Sequence, residues 1–172
     1  MGLCFGASID ASKIEMYWVG YKFANKVAVK GTFKDVVYKL KKNQGSVKDM
    51  LKGATATVTL SKLHTGNPAS EKNLNEGFFS KFASPEISVK ITQVMEGENQ
   101  GTLLAKVTMN KKSQLIPMQY TIVDGKIQAK GVLDLLSFKL NKPLESLMKT
   151  CGELHKGYTW TQVEIGFSAP IQ

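Results

Sequence analysis

The two imidazoles and two thiols are the side chains of this sequence best suited to covalent chemistry. They are His64, His155, Cys4 and Cys151, and no others of either type occur among the 172 residues. Cys151 and His155 stand four residues apart, so on a helix they would share one face as a nucleophile and its base. No G-x-S-x-G elbow and no pair of carboxylates accompanies them, which favours a packed cysteine beside a surface histidine. We therefore predict neither catalysis nor a cofactor, and the count of Cys and His excludes a structural zinc site of the usual spacing.

The basic residues could bind an anionic partner, and all 23 of them are lysine in a chain of net charge +9. Arginine pairs bidentately with guanine edges and phosphates, so a chain without arginine is a poor candidate for sequence-specific DNA binding. Nine lysines lie in residues 22–52 against two aspartates. This segment is either an ordinary solvated surface or a face for an anionic membrane surface or an anionic head group.

Three phenylalanines within five residues form the most apolar local cluster, Phe78-Phe79-Ser-Lys-Phe82. Left exposed, these rings would be a liability, so we expect them to be buried. They would serve either as a plug that closes one end of the fold or as the lining of a cavity for a long apolar chain.

The elements that must position these residues are mostly strands in which apolar and polar side chains alternate. The predicted strands are 15–23, 31–40, 54–60, 87–92, 103–109, 116–122, 127–133 and 158–167. Two short helices are predicted at 68–77, with Asn67 as N-cap, and at 143–152, and a helical turn is an option at 46–51.

The absence of a β-α-β rhythm argues against a parallel sheet and leaves a sandwich or an up-and-down barrel. Small residues occupy the apolar faces of several strands: Ala54, Ala56, Ala105, Ala129 and Gly131. Because they leave space inside, we predict an all-β, eight-stranded antiparallel barrel with two short helical insertions.

The first residues resemble the end of a secretory signal peptide, being small and apolar up to Ser8 and polar from Asp10. We predict that residues 1–12 are the remnant of a leader and that residues 13–172 form a single domain, which implies a periplasmic or secreted protein. A short strand-forming N-terminus is the alternative.

Several ordered motifs resemble the YceI-like family of polyisoprenoid-binding proteins over roughly residues 15–168. They are Trp18-x-x-Tyr21-Lys22-Phe23, Val29-Lys-Gly31-Thr-Phe33, Leu74-Asn-Glu-Gly-Phe78-Phe79-Ser-Lys-Phe82 with Pro85-Glu-Ile87, and the hairpin from Gly101 to Met118. The resemblance implies a lipocalin-like barrel, export to the periplasm, and an amphiphilic ligand with a long hydrocarbon tail, such as an isoprenoid, fatty acid or fatty amide. It also implies that the protein can form homodimers.

On this basis we predict that a ligand tail contacts apolar side chains inside the barrel. They are Trp18, Phe23, Phe33, Phe78, Phe79, Phe82, Met109, Met118, Tyr120, Leu133 and Phe138. An anionic head group would lie near Lys22, Lys30 or Lys34. The alternative is an interaction or stress-related protein with a filled barrel that acts through its lysine-rich face.

Overall fold

The computed structural model describes residues 6–152 and 158–172. The strands are β1 (Ala7–Ser8), β2 (Glu15–Lys22), β3 (Val27–Phe33), β4 (Val37–Lys39), β5 (Gln44–Gly45), β6 (Thr55–Thr59), β7 (Leu63–His64), β8 (Glu86–Glu96), β9 (Gln100–Met109), β10 (Lys112–Val123), β11 (Lys126–Asp134) and β12 (Gln162–Pro170). The α-helices are α1 (Val47–Leu51), α2 (Pro68–Gly77) and α3 (Asn141–Thr150).

Ten of these strands form one curled antiparallel sheet in the order β4-β6-β8-β9-β10-β11-β12-β2-β3-β7. The two others, β1 and β5, pair with each other. The all-β, antiparallel class is as predicted, but the count of eight strands in the sheet is wrong.

The count differs because one predicted strand is divided in two and because the short strand β7 lies beyond the predicted strand 54–60. The backbone of Asp35 is left-handed, with φ of 56°, so the predicted strand 31–40 is divided into β3, which starts four residues earlier, and β4. A 3-10 turn at Leu60–Lys62 follows β6, and the chain then forms the short strand β7. Since β3 pairs with β7 and β4 pairs with β6, the two ends of the sheet meet along segments 27–39 and 55–64. We call this meeting line the seam.

The last strand also differs from its prediction, because β12 begins at Gln162 and not at residue 158. The backbone before it turns aside to hydrogen-bond neighbouring segments. The Leu135 amide donates to the Thr161 carbonyl oxygen, and the Trp160 amide donates to the Tyr21 carbonyl oxygen.

Three helices are present where two were predicted. Helix α2 has the predicted bounds, and the Asn67 side chain accepts hydrogen bonds from the Ala69 and Ser70 amides. Helix α3 starts two residues before its prediction. The third, α1, forms at the optional turn, where Ser46 and Asp49 make a capping box. No helix in the described ranges is long and apolar enough to cross a bilayer.

The alternation predicted for the strands places their apolar faces in one core. Ala105, Val107, Met118 and Ile127 are among its fully buried members. Residues assigned to the leader by the sequence pattern take part as well, since Ile9 is 2% exposed and the Ser8 amide donates to the Gln172 carbonyl oxygen. The leader itself stays a prediction, and residues 1–5 lie outside the described part.

Candidate functional site

A cavity of about 240 Å³ lies inside the curled sheet. Its wall is almost entirely apolar, and strands from all around the sheet contribute to it. Ala54, Ala56 and Ala105 are on this wall, so three of the five small residues that suggested an unfilled interior border the open space. Ala129 is instead buried in the core, and Gly131 is not on the wall. Such a dry, elongated lining is suited to a hydrocarbon chain.

Seven of the eleven predicted tail-contacting side chains lie on the cavity wall, namely Trp18, Phe33, Phe78, Phe79, Met109, Met118 and Leu133. The other four lie elsewhere. Phe138 and Tyr120 are buried in the core, with exposures of 0% and 1%. Phe82 packs behind the two neighbouring rings, and Phe23 lies in the β2–β3 turn.

The phenylalanine cluster supplies part of the cavity lining. Phe78 and Phe79 face the cavity, whereas Phe82 supports them with ring centroids at 5.0 and 5.4 Å in edge-on contacts. Phe33 of β3 adds a contact to Phe79 at 5.9 Å. The cluster therefore forms part of the wall next to α2, whereas its role as a plug at one end of the fold stays a prediction.

Other wall residues were not predicted as ligand contacts, although the pattern contained signals for them. Ile165 and Phe167 of β12 lie on the predicted apolar face of that strand, and Leu144 and Leu147 are the buried stripe of α3. Thr159 and Trp160 could not be found from alternation, because the chain around Trp160 is not a regular strand. Tyr21 lies in β2 but is out of phase with the inward-facing Trp18, so alternation does not find it either.

Trp18 lies across β3 at the position of Gly31, its cross-strand partner. A Cβ atom added to Gly31 would come 2.2 Å from the indole ring, so the glycine makes room for the indole. On the outer face, Tyr17 covers Gly166 of β12 in the same way, at 2.4 Å. The neighbouring residues Tyr17 and Trp18 of β2 thus each pack over a glycine of an adjacent strand, Trp18 on the inner face of the sheet and Tyr17 on the outer face.

Among the described residues of the wall, Trp160 alone is classed as exposed, with 38% of its surface accessible. We therefore take the surroundings of Trp160 as the mouth of the cavity. The β2–β3 turn lies beside it, because Trp160 Nε1 donates a hydrogen bond to the Phe23 carbonyl oxygen at 2.8 Å.

The three predicted head-group lysines do not lie together. Lys22 is at the mouth, with its ammonium 5.2 Å from the Phe23 ring centroid. Lys30 faces outward over Tyr17, at 4.8 Å, and Lys34 lies by the seam, where its amide donates to the Lys62 carbonyl oxygen. Lys26 was not predicted, yet its ammonium lies over the Tyr21 and Trp160 rings at 4.7 and 5.5 Å.

Tyr38 lies on the wall next to the seam. Burial raises the pKa of its phenol to about 12, and the Glu15 carboxylate acts in the same direction against a hydrogen bond with the Met16 backbone. The group stays a neutral phenol across the physiological pH range.

The side chains considered for nucleophilic chemistry show no assembled site among the described residues. Cys151 is buried, and burial raises the pKa of its thiol against an opposing effect of Lys22. His155 lies outside the described residues, so the Cys151–His155 pair is not tested. His64 contacts Glu71, with Nδ1 3.5 Å from Oε1. Within residues 6–152 and 158–172, no group of three potential metal-ligating side chains occurs.

Comparison with known proteins places this geometry in context. The protein-family model for the YceI-like domain matches residues 8–169 of this chain. No curated protein matches the chain.

Three solved structures have a similar fold. BcnA of Burkholderia cenocepacia is 15% identical, with a TM-score of 0.65 over 95% of this chain and 99% of its own. A polyisoprenoid binding domain from Saccharophagus degradans, implicated in plant cell wall breakdown, is 14% identical, with a TM-score of 0.61 over 98% of each chain. The Campylobacter jejuni YceI protein is 16% identical, with a TM-score of 0.56 over 80% of this chain and 81% of its own.

Proposed function

The chain belongs to the YceI-like family, and from that premise we propose that it is a binding protein that carries or stores an amphiphilic lipid in its cavity. The observation that carries the proposal is the apolar cavity of about 240 Å³ inside the sheet. Each buried CH₂ of a ligand contributes about 0.8 kcal/mol, so a long tail binds tightly with few polar contacts.

Two polar atoms support a ligand that also carries oxygen. The indole Nε1 of Trp18 and the hydroxyl of Thr159 belong to wall residues, are inaccessible to solvent, and have no hydrogen-bond partner. A buried polar group without a partner costs about 1–3 kcal/mol. Because neither atom is accessible in this structure, a carbonyl or hydroxyl oxygen of a bound amphiphile would meet them only after these side chains turn toward the cavity.

The finer points of this proposal come from the resemblance and from one similar structure. The Saccharophagus degradans protein is a polyisoprenoid binding domain, which supports an isoprenoid before a fatty acid or fatty amide. We further propose a periplasmic or secreted location and a homodimer as the working form.

The alternative function, a filled barrel acting through its lysine-rich face, has less support. The interior is not filled, and the lysines of residues 22–52 are dispersed. Lys22 and Lys26 border the mouth, whereas Lys48 belongs to α1, which packs on β8 and binds the Glu96 carboxylate at the opposite end of the sheet.

The test is native mass spectrometry of the freshly purified protein, with organic extraction of any adduct. Ala56 on the wall and Thr57 on the opposite face of β6 provide a matched pair of substitutions. We expect an adduct of a few hundred daltons on the wild type and on Thr57→Phe, and a bare Ala56→Phe protein that is still folded. A wild-type protein that is bare and refuses added isoprenoids and fatty amides would contradict the proposal, as would a fully loaded Ala56→Phe.

A further inference from the structure

The mouth carries exposed aromatic side chains that the tail-binding role does not need. Tyr158 is 52% exposed and Trp160 is 38% exposed. Both lie against the β2–β3 turn, since the Phe23 amide donates to the Tyr158 carbonyl oxygen at 3.3 Å and Trp160 Nε1 donates to the Phe23 carbonyl oxygen. We call Lys22, Lys26, Tyr158 and Trp160 the rim.

The rim is held in a defined shape by backbone bonds. Phe23 and Lys26 have φ values of 63° and 57°, a left-handed conformation that a bulky residue adopts only when its surroundings impose it. Here the imposing contacts are the bond from Trp160 Nε1 to the Phe23 carbonyl oxygen, at 2.8 Å, and the bridge between Lys22 and Thr159. The Trp160 indole therefore keeps one position, in which it borders the cavity and is also partly exposed at the mouth.

The lysines of the rim keep their charge available. Their ammonium groups lie over ring faces, Lys26 over Tyr21 and Trp160 and Lys22 over Phe23. Neither takes part in an ion pair between described residues, where the salt bridges are Lys62–Asp35 and His64–Glu71. An anionic partner can therefore meet both charges without displacing a carboxylate of the described residues.

We propose that the rim docks the protein on an anionic lipid bilayer surface, so that the mouth of the cavity faces the membrane with which lipid is exchanged. This inference rests on the proposed function. Tryptophan and tyrosine favour the membrane–water interface, where the ring is in contact with acyl chains and the polar end with head groups. Lysines beside them are attracted by anionic head groups, and the net charge of +9 adds a long-range attraction.

The experiment measures partitioning of the full chain onto vesicles of phosphatidylglycerol and phosphatidylcholine in equal parts, and onto pure phosphatidylcholine vesicles. The rim variant is Lys22→Gln with Lys26→Gln. Its control is Lys90→Gln with Lys106→Gln, a directly paired and exposed couple on β8 and β9. About fivefold is expected for each lysine that meets the surface, so the rim variant should bind about 25-fold more weakly than wild type, and the control should change little.

The two tryptophans give a second measurement, because the chain contains no others. In Trp18→Phe the remaining Trp160 should shift to shorter emission wavelength on anionic vesicles. In Trp160→Phe the remaining Trp18, inside the cavity, should not.

Three results would overturn the docking proposal: equal partitioning onto both kinds of vesicle, equal losses in the rim variant and its control, or loss of vesicle binding in Ala56→Phe. The last would mean that association proceeds only through uptake into the cavity. A wild type that retains lipid but ignores anionic vesicles overturns docking alone, whereas one that docks but never holds lipid overturns the proposed function alone.

Discussion

Tyr38 is the polar side chain whose titration most directly reports on the wall of the cavity. Tyr38 belongs to β4, and its phenol is buried against the start of β2. This burial raises the pKa of the phenol to about 12. Burial also raises the pKa of Tyr17 and of Tyr120. These three phenols therefore couple the folded state to pH in the alkaline range.

We expect Tyr38→Phe to reduce the alkaline loss of stability. Between its ordinary value near 10 and about 12, an unfolded Tyr38 releases its proton while the folded one keeps it, so the free energy of unfolding falls as pH rises. Urea unfolding at pH 9 and pH 11 checks this prediction. The drop between the two should be smaller in the variant than in wild type, and equal drops would show that Tyr38 titrates normally.

At the level of single residues, most of the wall could be predicted from alternation and from the family motifs. Met109, Met118 and Leu133 lie where a two-residue period places them. Phe138 and Tyr120 were assigned to the ligand because large rings on inner faces look alike in sequence, whether they border space or fill it. Only the packing distinguishes the two cases, and both proved to be core residues.

Among the elements, the seam is the place where the sheet is least continuous. Its pairing consists of two runs of two and three residue pairs, whereas β9 and β10 share ten consecutive pairs. The left-handed Asp35 and the turn at Leu60–Lys62 interrupt it. Short interrupted ladders open at lower free energy than long ones.

Hydrogen exchange should therefore be fastest, among the strands of the sheet, along the seam. The amides of β4 and β7 should lose protection well before those of β9 and β10. Exchange read by mass spectrometry on the lipid-free and lipid-loaded protein checks this. Equal protection of the seam and the β9–β10 ladder would contradict it.

The elements themselves could be predicted well where their local rules are strong. Helix α2 has an Asn cap and a proline at its first position, and its bounds were correct. The interruptions at Asp35 and near Trp160 could not be predicted, because they depend on contacts with segments distant in sequence. The division at Asp35 and the unpredicted strand β7 are the reasons why ten strands occur in the sheet where eight were expected.

For the whole molecule, a ligand that binds in the apolar cavity links lipid binding to the stability of the fold. A ligand that binds only the folded state adds about 2.7 kcal/mol when its free concentration is a hundredfold above Kd. For a chain of this length that corresponds to roughly 5–10 °C in Tm.

Removal of the lipid should accordingly lower the Tm of the wild type and of Thr57→Phe, and adding it back should restore both. Ala56→Phe, which fills the cavity in place of a ligand, should melt at one temperature with and without lipid. Calorimetry before and after organic extraction is the measurement. A wild type whose Tm ignores extraction would indicate that nothing was bound inside.

The glycine beneath Trp18 also constrains how this fold can vary. Because a single methyl group at Gly31 would collide with the indole, Gly31 can gain a side chain only if the ring at Trp18 moves or becomes smaller. A homologue with alanine at the equivalent of Gly31 should carry a smaller ring, or none, at the equivalent of Trp18. The width of the cavity, and with it the thickness of the lipid tail that the cavity accepts, would then vary among homologues with the residues at this one cross-strand pair. Sequencing this pair and extracting the bound lipid from several homologues would show whether the two residues predict the thickness of the lipid tail.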